Sequence, residues 1–353
     1  MPDKYITSVV ISPNYEKDSS IFVSSWYAVF GSNDGGKTWR KSSRGLTSDP
    51  QADEVQFKSP HFRVLRISKN FAKDATLFVA GFDGLFKSND GTESWVELET
   101  LTAGSIQHLA LSPAFKEDST IGISTFDGGF YISKDRGVSW EARNEGLFRT
   151  HLMDVDISPN FAADHTIFTS DNSRIYKSID DGQHWQAMKI ERCSWGWSWR
   201  KRIGSVLSRV GLAKDLLMTR LDRLCKQPIF PWVIVISPDF AVDQTVFFGT
   251  RYQGLFRSVD GGLHWSFPSI TEKNGWISSL VLSPNFLSDK TIFAGRRGEG
   301  IFKSLDGGET WEMVYDQKGG NILVAISPYF KIDKTVFAGS AQGLVKTTDA
   351  GNN

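Results

Sequence analysis

The sequence has few cysteines, no net charge and no long apolar run, and each of these absences excludes a class of protein. Its two cysteines, Cys193 and Cys225, permit one disulfide at most. The 40 basic and 40 acidic side chains cancel, so there is no electrostatic reason to expect a nucleic-acid partner. No apolar run reaches membrane-spanning length. Residues 1–5 lack the basic and apolar character of a secretion leader, which leaves the cytoplasm as the default expectation.

The six histidines show none of the spacings of metal ligands, and no phosphate-binding loop or nucleophile motif is present. We therefore predict neither a metal site nor a cofactor. Glycine and large aromatic side chains are plentiful instead, with 32 Gly, 25 Phe and 12 Trp. This composition suits a repeated unit in which every copy needs turns and one or two large anchors.

An eight-residue turn motif, which we call the box, recurs along the whole chain. In residues 304–311 it reads Ser-Leu-Asp-Gly-Gly-Glu-Thr-Trp, and the general pattern is S-x-D-x-G-x-T-W. Its Ser and Asp can bond nearby backbone N–H groups, its Gly permits a positive φ, and its Trp starts a strand by burying a large ring. The other copies occupy residues 32–39, 88–95, 133–140, 178–185 and 258–265, and a seventh begins at Thr347.

A second motif, S-P-x-F-x-x-D-x-T-I-F, precedes each box. Neighbouring copies are mostly 44 to 46 residues apart, with two longer intervals of 56 and 79. A fixed period of this size indicates a propeller or a solenoid. The aspartates of this motif are Asp18, Asp74, Asp118, Asp164, Asp243, Asp289 and Asp333.

Each unit reads as four short strands separated by turn residues, without helical periodicity. In the third unit the predicted strands are 106–111, 120–125, 129–133 and 138–142. Four strands per unit at this period match one propeller blade. The sequence therefore predicts an all-β, seven-bladed propeller that occupies residues 1–353 as a single domain. The last blade is predicted to be incomplete, because the chain stops at Asn353 where its fourth strand should begin.

Antiparallel order assigns the turns to two faces of the disc. The first and third turns of every blade, which hold the two motifs, share one face, which we call the motif face. The second turns and the connections between blades share the opposite face. The repeats differ there, and we call it the variable face. Variable loops on a rigid scaffold are the usual place for function.

The box resembles the Asp-box, also called the bacterial neuraminidase repeat. That repeat is found in sialidases, sortilin-type receptor propellers, xyloglucanase-type glycoside hydrolases and photosystem II assembly and stability factors. The resemblance covers nearly all of the chain except residues 191–231, and it implies the propeller fold. It is a poor guide to activity, because these relatives do different things. The second motif is most similar to bacterial Asp-box proteins related to the assembly factors.

The motif aspartates could be read as carboxylate pairs or calcium ligands, but recurrence in every blade favours a structural role. A catalytic site is needed once, whereas every turn needs its own polar groups satisfied. The box aspartates predicted to act as structural turn residues are Asp34, Asp90, Asp135, Asp180, Asp260, Asp306 and Asp349.

Aromatic and arginine side chains of the variable face are candidate binding residues. Such residues are favoured at protein–protein hot spots, and aromatic rings also stack on sugars. The alternative is that they pack between neighbouring loops. The candidates are Trp26, Tyr27, Phe82, Phe126, Arg174, Arg251, Tyr252, Arg296, Arg297 and Glu299, with Trp232 and Trp276 beside them.

Two enzymatic alternatives follow from the resemblance and from the carboxylates. Sialidase activity is disfavoured, because the arginine that opens the first blade of that family has no counterpart near Tyr5. Another glycoside hydrolase would need two carboxyl groups facing each other across a cleft. Asp83, Asp127 and Asp171 occupy similar second turns of adjacent blades and are the best candidates, although Asp-Gly is also ordinary hairpin chemistry.

Residues 191–231 form an insertion between blades 4 and 5 that the repeat does not explain. From residue 191 to 226 it has nine Lys or Arg and three Asp or Glu, a net charge of +6. Its apolar residues follow helical spacing, and Gly211 divides them, which predicts a helical hairpin with the two cysteines near its ends. The hairpin either caps the propeller or binds an acidic partner or anionic membrane through Trp195, Trp197, Trp199, Arg200, Lys201 and Arg202.

The sequence thus favours a non-enzymatic binding propeller that serves as a scaffold or assembly factor for a protein partner. The alternative is a carbohydrate-active protein, either a glycoside hydrolase or a glycan-binding module. The absence of a complete catalytic set and the presence of the basic insertion favour the first hypothesis.

Overall fold

Short strands rich in β-branched and aromatic residues alternate with glycine- and aspartate-containing turns, and they fold into seven antiparallel sheets. The computed structural model describes residues 5–42, 44–46, 61–82, 84–98, 104–190, 229–267 and 275–352. Within these ranges each sheet forms one blade, and its strands are paired in chain order. The predicted seven-bladed propeller is confirmed.

The strands of blades 1 to 4 run from the channel outwards. They are Ile6–Ile11, Ile21–Ser25, Val29–Ser32 and Arg40–Ser42 in blade 1; Phe62–Ile67, Leu77–Gly81, Leu85–Ser88 and Val96–Glu97 in blade 2; Ile106–Leu111, Ile121–Thr125, Phe130–Ser133 and Glu141–Ala142 in blade 3; and Leu152–Ile157, Ile167–Asp171, Ile175–Ser178 and Gln186–Ala187 in blade 4.

Blades 5 and 7 have three strands each in the described part of the chain, and blade 6 has four. In blade 5 a single bridge between Arg257 and Ser266 continues the sheet. The strands are Pro231–Ile236, Val246–Thr250 and Leu255–Ser258 in blade 5; Ile277–Leu282, Ile292–Arg296, Gly300–Ser304 and Glu312–Asp316 in blade 6; and Leu323–Ile326, Val336–Ser340 and Gly343–Thr347 in blade 7.

The first turn of every blade contains a single helical turn that the sequence pattern did not predict. Each ends at a residue in the left-handed conformation, such as Ser19 with φ 49°. The motif Asp closes this turn: Asp18 accepts hydrogen bonds from Ser12 Oγ at 2.6 Å and from Ser20 N at 2.8 Å. The seven helical turns are Tyr15–Asp18, Phe71–Asp74, Phe115–Asp118, Phe161–Asp164, Phe240–Asp243, Phe286–Asp289 and Phe330–Asp333.

Each box is a self-contained turn. In the copy at residues 304–311, Asp306 accepts hydrogen bonds from Ser304 Oγ at 2.8 Å, Glu309 N at 3.0 Å and Thr310 N at 2.9 Å. Burial raises the pKa of Asp306, but these bonds and one from the Thr310 hydroxyl outweigh it and hold the pKa at about 2. The carboxylate thus satisfies its own turn.

Backbone hydrogen bonds place both motifs on the same face, as the antiparallel order predicts. In blade 1 Gly35 N donates to Ser19 O at 3.0 Å, which ties the box to the first turn, and every other blade repeats this bond. On the opposite face the connection between blades is bonded to a second turn. In blade 6, for example, Arg297 N donates to Trp276 O at 2.9 Å.

Most box tryptophans fill the space between neighbouring blades. Trp95 of blade 2 is 3% exposed and packs in one cluster with Phe22 and Val29 of blade 1. Trp185 and Trp265 occupy equivalent buried positions between blades 3 and 4 and between blades 4 and 5. Because each ring contacts two sheets, loss of one would weaken the attachment between blades as well as the blade itself.

Blade 7 packs on blade 1, so the ring of sheets is continuous. Phe337 of blade 7 lies in one buried cluster with Ile21 and Val23 of blade 1. Lys346 Nζ also donates to Gly35 O of blade 1 at 3.4 Å. No helix within the described ranges has the length and apolar character that a bilayer crossing requires. The predicted helical insertion at residues 191–231 lies almost entirely outside the described residues.

Candidate functional site

Exposed aromatic rings form a first cluster on the variable face of blades 1 and 2, which we call the Trp26 cluster. Trp26 stacks on Tyr5, with ring centres 5.4 Å apart, and lies 6.0 Å from the ring of His61. His61 in turn contacts Phe82 at 5.7 Å, and the guanidinium of Arg63 lies 4.6 Å from the centre of the Phe82 ring. Phe82 is 50% exposed and Trp26 44% exposed, so the cluster presents an apolar surface to solvent.

Tyr27 completes the Trp26 cluster, since its ring lies 6.1 Å from that of His61. The structure thus brings three of the predicted aromatic candidates together and adds Tyr5, His61 and Arg63. The sequence pattern did not identify these three, because none of them lies in a second turn: Tyr5 precedes the first strand, His61 ends the connection to blade 2, and Arg63 lies in the innermost strand of blade 2.

A second cluster on blades 5 and 6, the Trp276 cluster, combines aromatic rings with arginines. The guanidinium groups of Arg251 and Arg297 lie 4.4 Å and 4.3 Å from the centre of the Trp276 ring. Trp232 meets the same ring edge-on at 4.8 Å. Both arginines are exposed, as is Tyr252. Two positive charges held by one ring produce a cationic, aromatic surface suited to an acidic or aromatic group of a partner.

Arg296 and Glu299 have a different role from the exposed arginines. Arg296 is 1% exposed, and its Nη1 lies 2.9 Å from Glu299 Oε2. The guanidinium also lies 5.2 Å from the centre of the Phe302 ring. Burial lowers the pKa of Arg296, and the negative charge of Glu299 opposes this shift. The ion pair therefore stabilises, from its buried side, the loop that carries Arg297.

The candidates of blades 3 and 4 form a third group around His151. The ring of Phe126 lies 3.6 Å from that of His151, and Arg174 lies 4.0 Å from the centre of the Phe148 ring. Burial lowers the pKa of His151, whereas the negative charges of Asp127 and Asp171 oppose the shift. Both carboxylates are thus within electrostatic reach of one imidazole.

The two described carboxylate candidates differ in access. Asp127 is exposed in the second turn of blade 3. Asp171 is fully buried, and it accepts hydrogen bonds from Ser173 N at 2.6 Å, Arg174 N at 2.8 Å and Tyr176 Oη at 2.7 Å. This environment raises the pKa of Tyr176 to about 12, mainly through burial and then through Asp171. The carboxylate of Asp171 therefore stabilises its own turn.

Several predicted site residues lie outside the described residues. They are Asp83, Trp195, Trp197, Trp199, Arg200, Lys201 and Arg202, together with Cys193 and Cys225. Among the described residues no group of three or more His, Cys, Asp or Glu side chains is arranged to hold a metal ion.

The innermost strands surround a central channel with a cavity of about 990 Å³. Its variable-face end is lined by Trp26, Phe82 and Trp232, so the Trp26 cluster borders the channel mouth. Much of the wall is aliphatic, as at Val235 and Leu280. Large cavities with apolar walls and a few converging polar groups are the usual ligand sites of proteins.

Charged side chains of blades 2 to 4 interrupt the aliphatic wall of the channel. His108 Nε2 lies 2.5 Å from Arg66 Nη2, and His108 Nδ1 lies 2.5 Å from Asp154 Oδ1 and 3.1 Å from Val155 O. Because a guanidinium can only donate, Nε2 must accept, and the proton belongs on Nδ1, where it is donated to Asp154. This arrangement assigns the donor role of the His108 ring to Nδ1 and the acceptor role to Nε2.

The two channel aspartates also satisfy the free edge of blade 5. Asp154 Oδ2 accepts a hydrogen bond from Ile234 N at 2.7 Å, and Asp156 Oδ2 accepts one from Ile236 N at 3.0 Å. These N–H groups belong to an innermost strand, which has no further strand to pair with on the channel side. Burial raises the pKa of Asp156 to about 6, despite the bond from Ile236 N. The aspartates thus link blades 4 and 5 along the channel.

No protein-family model and no curated protein sequence matches the chain. Many solved structures share its fold. One is the extracellular domain of a hybrid two-component system from B. thetaiotaomicron, with TM-score 0.67 and 12% identity, covering 98% of this chain and 38% of that chain. The chain therefore spans well under half of that domain. Another is the Niastella koreensis GH74 enzyme, with TM-score 0.69 and 14% identity, covering 99% of this chain and 53% of that chain.

YCF48 from Cyanidioschyzon merolae is similar over nearly its whole length. The TM-score is 0.64 at 14% identity, and the match covers 100% of this chain and 98% of that chain. A structure of YCF48 bound to D1 peptide matches with TM-score 0.61 and 14% identity, covering 98% of this chain and 94% of that chain. At these identities the similarity supports the β-propeller fold and does not transfer a function.

Proposed function

We propose that this chain is a non-enzymatic Asp-box propeller that presents its variable face to a protein partner, as a scaffold or assembly factor. The observation that carries the proposal is the pair of aromatic clusters around Trp26 and Trp276. Exposed aromatic rings and arginines are the residues that contribute most to protein–protein hot spots. A propeller of similar size and fold, YCF48, has been solved with a bound peptide.

The chemistry of the Trp276 cluster defines the partner segment that would bind. Arg251 and Arg297 are exposed and lie within 4.4 Å of the same ring centre, so their positive charges add at one place. A peptide with acidic and aromatic side chains would pair with the guanidinium groups and cover the rings. The Trp26 cluster would add apolar contact area on the far side of the channel mouth.

Peptide selection tests this proposal even while the partner is unidentified. A random 12-residue phage library is selected on the immobilised chain, and the affinities of recovered peptides are measured by fluorescence anisotropy. We expect acidic and aromatic residues to be enriched. We expect Arg251→Ala and Arg297→Ala each to weaken binding by roughly tenfold. Arg40→Ala is the matched control, because Arg40 is exposed on the outermost strand of blade 1.

The proposal would be contradicted if selection yielded no peptide, or if recovered peptides bound the two variants and the wild type equally well. Thermal unfolding of each variant shows whether a loss of binding reflects a loss of fold. Because Arg251 and Arg297 are exposed, we expect the variants to unfold within a few degrees of the wild type.

The alternative function is glycan binding or glycoside hydrolysis on the same face. The influence of the Asp127 and Asp171 charges on the pKa of His151 favours it, and a GH74 enzyme shares the fold. The involvement of Asp171 in its own turn argues against a catalytic pair. A glycan array and a panel of chromogenic glycosides provide the test. Turnover that is lost in Asp127→Asn or Asp83→Asn would overturn the scaffold proposal.

The basic insertion at residues 191–231 provides a third hypothesis, binding to an anionic membrane surface or an acidic partner. Its net charge of +6 and its three closely spaced tryptophans support the proposal. Flotation with anionic and neutral liposomes tests this hypothesis separately from the peptide experiment. Binding to anionic liposomes that persists in high salt and without residues 194–224 would contradict it.

A further inference from the structure

The repeat provides an internal comparison that singles out one cleft on the motif face. In five blades the residue before the first Ser or Thr of the box is a lysine or an arginine. In four of these the cation reaches an acceptor in the box of the next blade. Lys177 Nζ donates to Gly261 O at 3.0 Å, Arg257 Nη1 contacts Glu309 Oε1 at 2.5 Å, Lys303 Nζ donates to Asn352 Oδ1 at 3.2 Å, and Lys346 Nζ donates to Gly35 O at 3.4 Å.

The fifth cation, Lys87 of blade 2, faces a different neighbour. The box of blade 3 carries Arg136 at the position where the boxes of blades 1, 2, 5 and 6 have glycine. Within the described part of the chain, Lys87 makes no hydrogen bond and no ion pair with blade 3. Instead, burial lowers the pKa of Lys87, and the positive charge of Arg136 lowers it further, while Asp74 opposes the shift.

Arg136 is held on the wall of the cleft. Its Nε donates to Ser119 Oγ at 3.2 Å, and its Nη2 donates to Lys116 O at 3.2 Å. Its φ is 65°, in the left-handed region that costs a side chain about 1 kcal/mol. The chain thus retains an arginine where glycine would be less strained and where a neighbouring cation already lies.

At the interface of blades 3 and 4, an acidic residue occupies the box position that Arg136 has in blade 3. Blade 4 carries Asp181 there, with Oδ2 2.6 Å from Lys134 Nζ and Oδ1 2.9 Å from His165 Nδ1. The side chain at this box position therefore contacts a cation of the preceding blade, Lys134, and a histidine of its own blade, His165. At the interface of blades 2 and 3 the same geometry brings positive charges together.

The cleft between blades 2 and 3 has a volume of about 310 Å³. It is lined by four cations, Lys73, Lys87, Lys116 and Arg136, and by one carboxylate, Asp74, which gives a formal charge of +4 − 1 = +3. Asp74 already accepts hydrogen bonds from Ser68 Oγ at 2.7 Å and from Thr76 N at 3.0 Å. A cavity with an excess of positive charge concentrates anions.

We propose that this cleft binds a tetrahedral dianion, either inorganic phosphate or a phosphate monoester. The guanidinium of Arg136 would supply directed N–H donors, and the ammonium groups of Lys73, Lys87 and Lys116 would supply charge. The site lies on the face opposite the aromatic clusters and is independent of the function proposed for them.

Calorimetric titration at low ionic strength tests the proposal with sodium phosphate and with phosphoserine, against sodium chloride at matched ionic strength. We expect a 1:1 complex with phosphate or phosphoserine and none with chloride. Arg136→Gly restores the residue that four other boxes carry and removes the positive-φ strain, so it should fold. We expect it to weaken binding at least about tenfold, and Lys87→Gln to have a similar effect.

Lys177→Gln is the matched control, because it changes the equivalent lysine at an interface where that lysine donates a hydrogen bond to the next blade. It should leave phosphate binding unchanged and lower the melting temperature, whereas Lys87→Gln should leave the melting temperature unchanged or raise it. Preference for phosphoserine would identify a phosphorylated group as the ligand, and preference for inorganic phosphate would identify the free ion. The proposal is overturned if neither binds or if Arg136→Gly binds as the wild type does.

Discussion

Asp156 makes the stability of the propeller depend on pH in a direction opposite to that of most surface carboxylates. Burial raises its pKa from 3.8 to about 6, so the folded chain holds this proton more tightly than the unfolded chain. The carboxylate therefore costs stability as the pH rises from about 4 to about 6, and the cost is complete above that window. Replacement by Asn removes the charge and retains one oxygen that can accept from Ile236 N, while the amide NH2 cannot accept the second bond, from Ile157 N; that loss is the same at every pH.

The size of the effect follows from the shift. The difference of about 2.2 pKa units, at 1.36 kcal/mol per unit, gives an upper limit of about 3 kcal/mol. Because Asp156 is partly exposed to the channel, we expect Asp156→Asn to gain about 1–2 kcal/mol over the wild type at pH 7.5, relative to the difference at pH 4.5.

Urea unfolding of both chains at several pH values measures this difference directly. Subtracting the two free energies at each pH removes the contribution of the box aspartates, which both chains share. Asp316→Asn, at an exposed position on the outermost strand of blade 6, controls for loss of one surface charge. A difference that is constant between pH 4.5 and 7.5, or one that favours the wild type more at pH 7.5 than at pH 4.5, would refute the reasoning.

Three further predictions concern the turns and the insertion. Asp306→Ala should lose about 1 kcal/mol in urea unfolding and retain peptide binding, because the hydrogen bonds of Asp306 are local and exposed to solvent. Since the pKa of Asp306 is lowered to about 2, this stability is present above pH 3.8 and disappears as the pH falls through 2. Lost binding in a fully stable variant would contradict a structural role. Tyr176→Phe should cost about 1–3 kcal/mol in thermal unfolding, because the buried carboxylate of Asp171 loses a donor, and an unchanged melting temperature would show that this bond is dispensable. Deletion of residues 194–224 should leave the circular dichroism spectrum of the blades intact and reduce flotation with anionic liposomes, and unchanged flotation would leave the segment as a cap.

The order of blades and the assignment of the two faces could be predicted from the sequence because they depend on short-range interactions. The hydrogen bonds of Asp306 reach residues at most four positions away, so the motif itself specifies the turn. Predicted strands in blade 3 agree with the observed ones to within three residues. The helical turn at Phe115–Asp118 was not predicted, because four residues are too few to show a helical period.

The candidate site could be predicted only as a set of exposed residue types on one face. The approach of Arg251 and Arg297 to a single ring depends on how blades 5 and 6 are rotated against each other, which no local pattern encodes. For the same reason Arg296 and Arg297 are indistinguishable in sequence, although one is 1% exposed and the other lies at the surface.

The sequence by itself determined the repeat, the strand order, the faces and the chemistry of each turn, since those depend on residues close together in the chain. Only the tertiary structure decided which side chains of different blades meet. Arg66, His108 and Asp154 lie more than forty residues apart in sequence and form one network, because ring closure brings three innermost strands to the same channel wall. The charged positions in otherwise apolar strands were visible in the sequence, but their partners depend on the packing angle between sheets. Lys87 and Arg136 are likewise neighbours because blades 2 and 3 pack together, whereas the four equivalent cations of other blades contact acceptors in the next box.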